Sequence, residues 1–166
     1  GDSSRFDASG NGSGVDLVGY NFTTLAGSQF ITYQSNWNNG AGAITQFDGV
    51  TPIVGLVSAA NSKVGAAGEY LGSGGVSVLA NKSAYVIDSP NWSSGRGAVT
   101  YVPFSSNVKD LNIATNGVVG ASAGDAVGSR AVSVLANQDY VVSSPSFNGT
   151  RGASTLVDGS PGLASQ

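Results

Sequence analysis

"VSVLANKSAYVIDSPNWSSGRGAVTYV", Val76–Val102, decides the fold because the chain spells it again as "VSVLANQDYVVSSPSFNGTRGASTLV", Val132–Val157. A fainter version, "TTLAGSQFITYQSNWNNGAGAITQF", Thr23–Phe47, precedes both. The aromatic residues Trp37, Trp92 and Phe147 fall 55 residues apart, as do Phe30, Tyr85 and Tyr140. Gly42, Gly97 and Gly152 keep the same step, each followed by an alanine. A self-similar period of this size marks a supersecondary unit that stacks on its own copies. "LANKSAY" is one residue longer than "LANQDY", and insertions settle in turns, so the Ala-Asn pair marks a hairpin tip.

Within each unit the apolar residues alternate over short runs. "VSVLA", "YVIDS" and "GAVTYV" are β-branched and aromatic strands, separated by Gly, Asn, Ser and Pro. A fourth, weaker strand is expected in "VGLVSAA" at 54–60 and again in "LNIAT" at 111–115. No stretch carries a helical stripe over three turns, and the best helix candidate, Val54–Lys63, is short. The expected fold is therefore all-β, with three four-stranded repeats of about 55 residues forming an array of β-propeller-like blades. That array is open or part of a larger ring. A β-trefoil is the second architecture and a β-solenoid the third. The expected repeats run from about 9 to 63, 64 to 118 and 119 to 166, the last continuing in register into residues 1–8 of a next unit. The 35 residues from Gly97 to Val132 equal the distance from Gly152 through the last residue and on from residue 1 to Asn21. No Met occurs, so the chain reads as a slice of a larger polypeptide.

Composition narrows the function. Only 10% of residues are charged, where soluble domains average about a quarter. A surface of hydroxyls and amides repels a neighbouring copy of itself weakly. A net charge of −3 argues against nucleic acid, which demands clustered Lys and Arg. No apolar run approaches a membrane span. Cys and His are both absent, which removes thiolate metal sites, disulfides and the usual activator of a nucleophile. Carboxylate pairs such as Asp2 with Asp7, or Asp48 with Asp158, are all that remains for hydrolysis, and nothing in the sequence sets either pair in a cleft. The expectation is no enzyme and no cofactor, calcium excepted.

"LANQDYVVSSPSFNG" with "GASTLV", and "NKSAYVIDSPNWSSGRGAVTYV", together with the linker "GLVSAANSKVG" at 55–65, resemble tandem repeats of large secreted bacterial exoproteins and adhesins of the filamentous-haemagglutinin-like type. They are also similar to integrin-type FG-GAP propeller blades. The resemblance is weaker in the first unit, where "TYQSNW" lacks the proline of "VIDSPNW". It implies a secreted, extracellular or cell-surface protein built from repeats, and no catalytic residue.

Three sets of residues are candidate sites. Asp7, Ser9, Asn11 and Asp16 in "DASGNGSGVD" space hard oxygens as calcium loops do; a plain Gly/Ser/Asn linker is the competing reading. Trp37, Trp92, Phe147, Phe30, Tyr85 and Tyr140 read as inter-repeat packing, with a glycan-stacking surface as the alternative. The acidic residues Asp16, Glu69 and Asp125 recur before a hydrophobic–Gly turn, and Arg96 and Arg151 before the Gly-Ala strand. They suit ion pairs between units or the capping of turns. Asn11, Asn21, Asn81, Asn91 and Asn148 head glycosylation sequons, which a chain rich in Asn, Ser and Thr also produces by chance. The expected role is structural: a segment of an extracellular filament, adhesin stalk or biofilm fibre whose partner is its own kind. A lectin-like module for surface glycans is the alternative.

Overall fold

The computed structural model describes residues 21–79 and 83–159. The first sheet holds β1 (Asn21–Thr24), β2 (Phe30–Gln34), β3 (Ala43–Phe47) and β4 (Lys63–Val64) in that order. The second holds β5 (Gly75–Val78), β6 (Ala84–Ser89), β7 (Ala98–Pro103) and β8 (Gly117–Val119), again in chain order. The third has β9 (Ser133–Val134), β10 (Tyr140–Ser144) and β11 (Ala153–Val157). All neighbours are antiparallel. The protein is an all-β repeat array. Each sheet is a separate meander, as in blades, and not a share of one trefoil barrel.

The fourth strand is not where the apolar runs suggested. It forms at Lys63–Val64 and Gly117–Val119, a few residues beyond "VGLVSAA" and "LNIAT". Val54 and Leu56 are 71% and 51% exposed. Local polar chemistry explains the shift: the Asn61 carboxamide accepts from the Ser58 N–H at 3.0 Å, and Asn112 accepts from the Ala114 N–H at 3.0 Å. Such side chains hold their own backbone in turns and compete with a ladder. The helix candidate Val54–Lys63 is likewise turn and coil up to Ser62, and Lys63 opens β4.

Register decides how the sheets stack. In β2 and β3, Phe30 faces Phe47 and Thr32 faces Thr45, whereas Ile31 faces Gln46 and Tyr33 faces Ile44 on the other side. The side carrying Ile31, Tyr33 and Ile44 packs against Tyr85, Ile87 and Val102 of the second sheet. The opposite side of that sheet, with Ala84, Val86 and Val99, packs against Tyr140, Val142 and Val157 of the third. The stacking therefore has direction. In each gap the side bearing Ile31 or its equivalent Val86 meets, on the following sheet, the side bearing Tyr85 or its equivalent Tyr140; Phe30 and Val141 are the corresponding positions on the two outer sides. Two hydrophobic cores result, one in each gap.

Candidate functional site

The turn between the second and third strand of each sheet is the part repeated most faithfully. It is a one-turn element at Trp37–Gly40, Trp92–Gly95 and Phe147–Thr150. Its central residues are left-handed: Asn38 and Asn39 at φ 48° and 58°, Ser93 and Ser94 at 51° and 61°, Asn148 and Gly149 at 51° and 66°. Left-handed backbone costs roughly 1–2 kcal/mol per non-glycine residue, which Asn and Gly tolerate best. The chain accepts this strain because the turn is the socket of a joint.

The segment after each of the first two sheets clips that socket. The Tyr70 and Leu71 N–H groups donate to the Gly40 and Ala41 carbonyls at 2.7 and 3.2 Å. Ala126 and Val127 donate in the same way to Gly95 and Arg96, both at 3.1 Å. Gly97 has φ 75°, and a Cβ on it would run into the Val127 backbone, so glycine is required there on two counts. The same segments reach forward to the next turn. Glu69 accepts from Ala66 N–H at 2.8 Å and, across the gap, from Ser93 N–H at 3.0 Å. Asp125 accepts from Ser122 N–H at 2.8 Å and from Asn148 N–H at 2.9 Å. These backbone bonds hold the Asp125 carboxyl below the ordinary carboxylate range. Of the two sequence readings, the capping of turns is the observed one. Among the described residues the one ion pair is Lys109–Asp110, at 2.6 Å between chain neighbours. Arg96 donates from Nε to the Gly120 carbonyl at 2.7 Å and lies over the Trp92 ring at 5.9 Å.

The aromatic candidates divide. Tyr85 and Tyr140 are fully buried in the gaps, and burial pushes both phenols up. No glycan can stack on either. Tyr85 donates its O–H to Gln46 Oε1 at 2.9 Å, which also accepts from Val108 N–H at 3.1 Å. Phe30 stacks on Phe47 at 4.5 Å within its own sheet. Trp92 packs on the rim of the first core, while Trp37 and Phe147 are half-buried at their turns. Asp7, Ser9, Asn11 and Asp16 lie outside the described residues. Among the described residues no cluster of acidic side chains is fit to hold a metal, and no helix is long and apolar enough to cross a membrane. Asp48 and Asp158 stand at equivalent positions of the first and third sheets, with the second sheet between. Asp48 is engaged by the Val50 and Thr51 N–H groups at 2.8 and 2.6 Å.

Two residues escaped the sequence reading. Gln46 ties the first gap together, but its repeat equivalent is Tyr101, so no recurrence announces it. Asp88 is 1% exposed in the second gap, where its equivalents are Tyr33 and Ser143. Its Oδ1 is buried without a hydrogen-bond partner, and burial raises its pKa to about 7 against a backbone bond from Val132. A lone carboxylate inside "YVIDSP" was the available signal.

A cleft of about 280 Å³ opens between the second and third sheets, lined by Tyr101, Asn116, Asp139, Leu156 and Asp158 among others. Burial, then the Asp158 charge, raises the Tyr101 phenol. Its O–H reaches the Gly159 carbonyl at 3.4 Å.

A family model described as a repeat of unknown function (DUF5650) matches three times, over residues 24–73, 78–129 and 134–166. No curated protein matches the chain.

Proposed function

We propose, from the premise that the chain belongs to this DUF5650 repeat family, that its work is mechanical. It is a structural segment of a large secreted bacterial surface or matrix protein, stacking with its own kind into an extracellular filament, adhesin stalk or biofilm fibre. One observation carries this reading: directional stacking leaves a matching side at each end. On the first sheet the side that would meet a preceding sheet presents Phe22, 65% exposed, with Thr24 beside it in register. On the third sheet the side that would meet a following one presents Leu156, 64% exposed, opposite Val141. Those two sides pack on each other wherever two sheets meet inside the molecule. A contact of one side with the other between copies is head-to-tail, and such contacts build rings or open filaments. Negative-stain microscopy of the purified chain over a range of concentrations tests the reading. Fibres or rings are expected, and uniform single particles at every concentration refute it.

The second reading is a glycan-binding module. The cleft beside Tyr101 favours it, because a phenol and two carboxylates suit a polyhydroxylated ligand. Retention on a glycan array that Tyr101→Ala abolishes would support it over assembly.

A further inference from the structure

We infer that the outer edge of β11 is an acceptor for a fourth strand, one that ends in Val–Gly, supplied by a further repeat of this same kind. The inference rests on the assembly reading and names its joint. β3 and β7 each carry a strand on their outer edge, and β11 carries none among the described residues. In the second sheet that ladder joins Val99 to Val118, and it is extended by Tyr101 N–H to the Asn116 carbonyl at 2.7 Å and Gly120 N–H to the Gly97 carbonyl at 3.0 Å. The first sheet repeats its end, Gly65 N–H to the Gly42 carbonyl at 3.1 Å. Gly97, Val99 and Tyr101 correspond at 55 residues to Gly152, Ser154 and Leu156. The backbone groups left open on β11 are thus the Gly152 carbonyl, the Ser154 N–H and carbonyl, and the Leu156 N–H. Unpaired ladder groups recruit another strand.

The occupant's sequence follows from the two occupied edges. Lys63-Val64-Gly65 and Val118-Val119-Gly120 both end in glycine. A Cβ at Gly65 would run into the Ala41 carbonyl, and one at Gly120 into the Arg96 carbonyl. The equivalent carbonyl on the third sheet is that of Arg151. An arbitrary β-strand therefore does not fit, and one ending in glycine does. The occupant is a repeat, not an unrelated peptide.

The test appends a copy of Asn112–Gly120, "NIATNGVVG", to Gln166, which places it 55 residues beyond its original. Amide hydrogen exchange is then followed by NMR in the extended and unextended chains. Ser154 and Leu156 are expected to slow by at least about tenfold in the extended chain. A scrambled extension, or one whose last glycine is replaced by valine, leaves them fast. Equal exchange with and without the extension overturns the inference, as does equal protection by all three extensions. Protected edges without fibres by microscopy would remove the assembly reading and leave the strand joint standing.

Discussion

Thr150 sits at φ 70°, third in the left-handed turn of the last sheet, where the first two sheets have glycine at 71° and 80°. A β-branched residue fits that region badly. Thr150→Gly is expected to raise stability by about 1 kcal/mol despite the added freedom of the unfolded chain, read as a higher denaturant midpoint. Gly97→Ala is the converse. It meets both a positive φ and the Val127 backbone, and a loss of about 2–4 kcal/mol is expected in the same assay. Asp88 gives the chain an unusual response to pH. Its folded pKa, about 7, lies above the ordinary 3.8, so the folded state holds the proton more tightly. Its stabilisation is full below about pH 4, declines as pH rises towards 7 and is absent above that, a span of up to roughly 4 kcal/mol. Asp125 works the other way: its lowered pKa stabilises above 3.8 and is lost as pH falls further. Urea melts at pH 5 and pH 8 should show the chain more stable at pH 5. Asp88→Asn should flatten that difference, and an unchanged slope would contradict the assignment.

At the scale of the element, the joint is a turn, a clip and an acidic residue reaching forward. Asp125→Ala strips acceptors from Ser122 and Asn148 N–H and is expected to lower stability, read as a lower denaturant midpoint. The loss should show as faster exchange at the turn Phe147–Thr150 ahead of the second sheet. Gln46→Leu leaves the Tyr85 hydroxyl and Val108 N–H without their acceptor, at a cost of about 1–3 kcal/mol. Much of this joint was legible, because Glu69, Asp125 and the glycines recur at nearly fixed steps and recurrence reports a shared backbone requirement. What was not legible broke the repeat. Gln46 and Asp88 answer to one gap each, and periodicity is silent about a residue that occurs once. The fourth strand was misplaced for a related reason: hydrophobicity marked Val54 and Leu56, while Asn61 and Asn112 decided where the ladder starts by bonding their own turns.

For the whole molecule, each sheet has one side for the sheet before and another for the sheet after, and among the described residues no contact closes the series. Stability in such arrays grows with the number of neighbours, so the outermost sheets are the least supported. Phe22 and Leu156 mark their open sides. Phe22→Asp should disable one side only, and Leu156→Asp the other. Sedimentation velocity of the two variants, alone and mixed in equal amounts, addresses the head-to-tail claim most directly. Each variant alone should run as a monomer, the mixture should stop at a one-to-one dimer, and the parent chain should grow beyond two copies. A parent chain that stays monomeric, or variants that assemble by themselves, would contradict it.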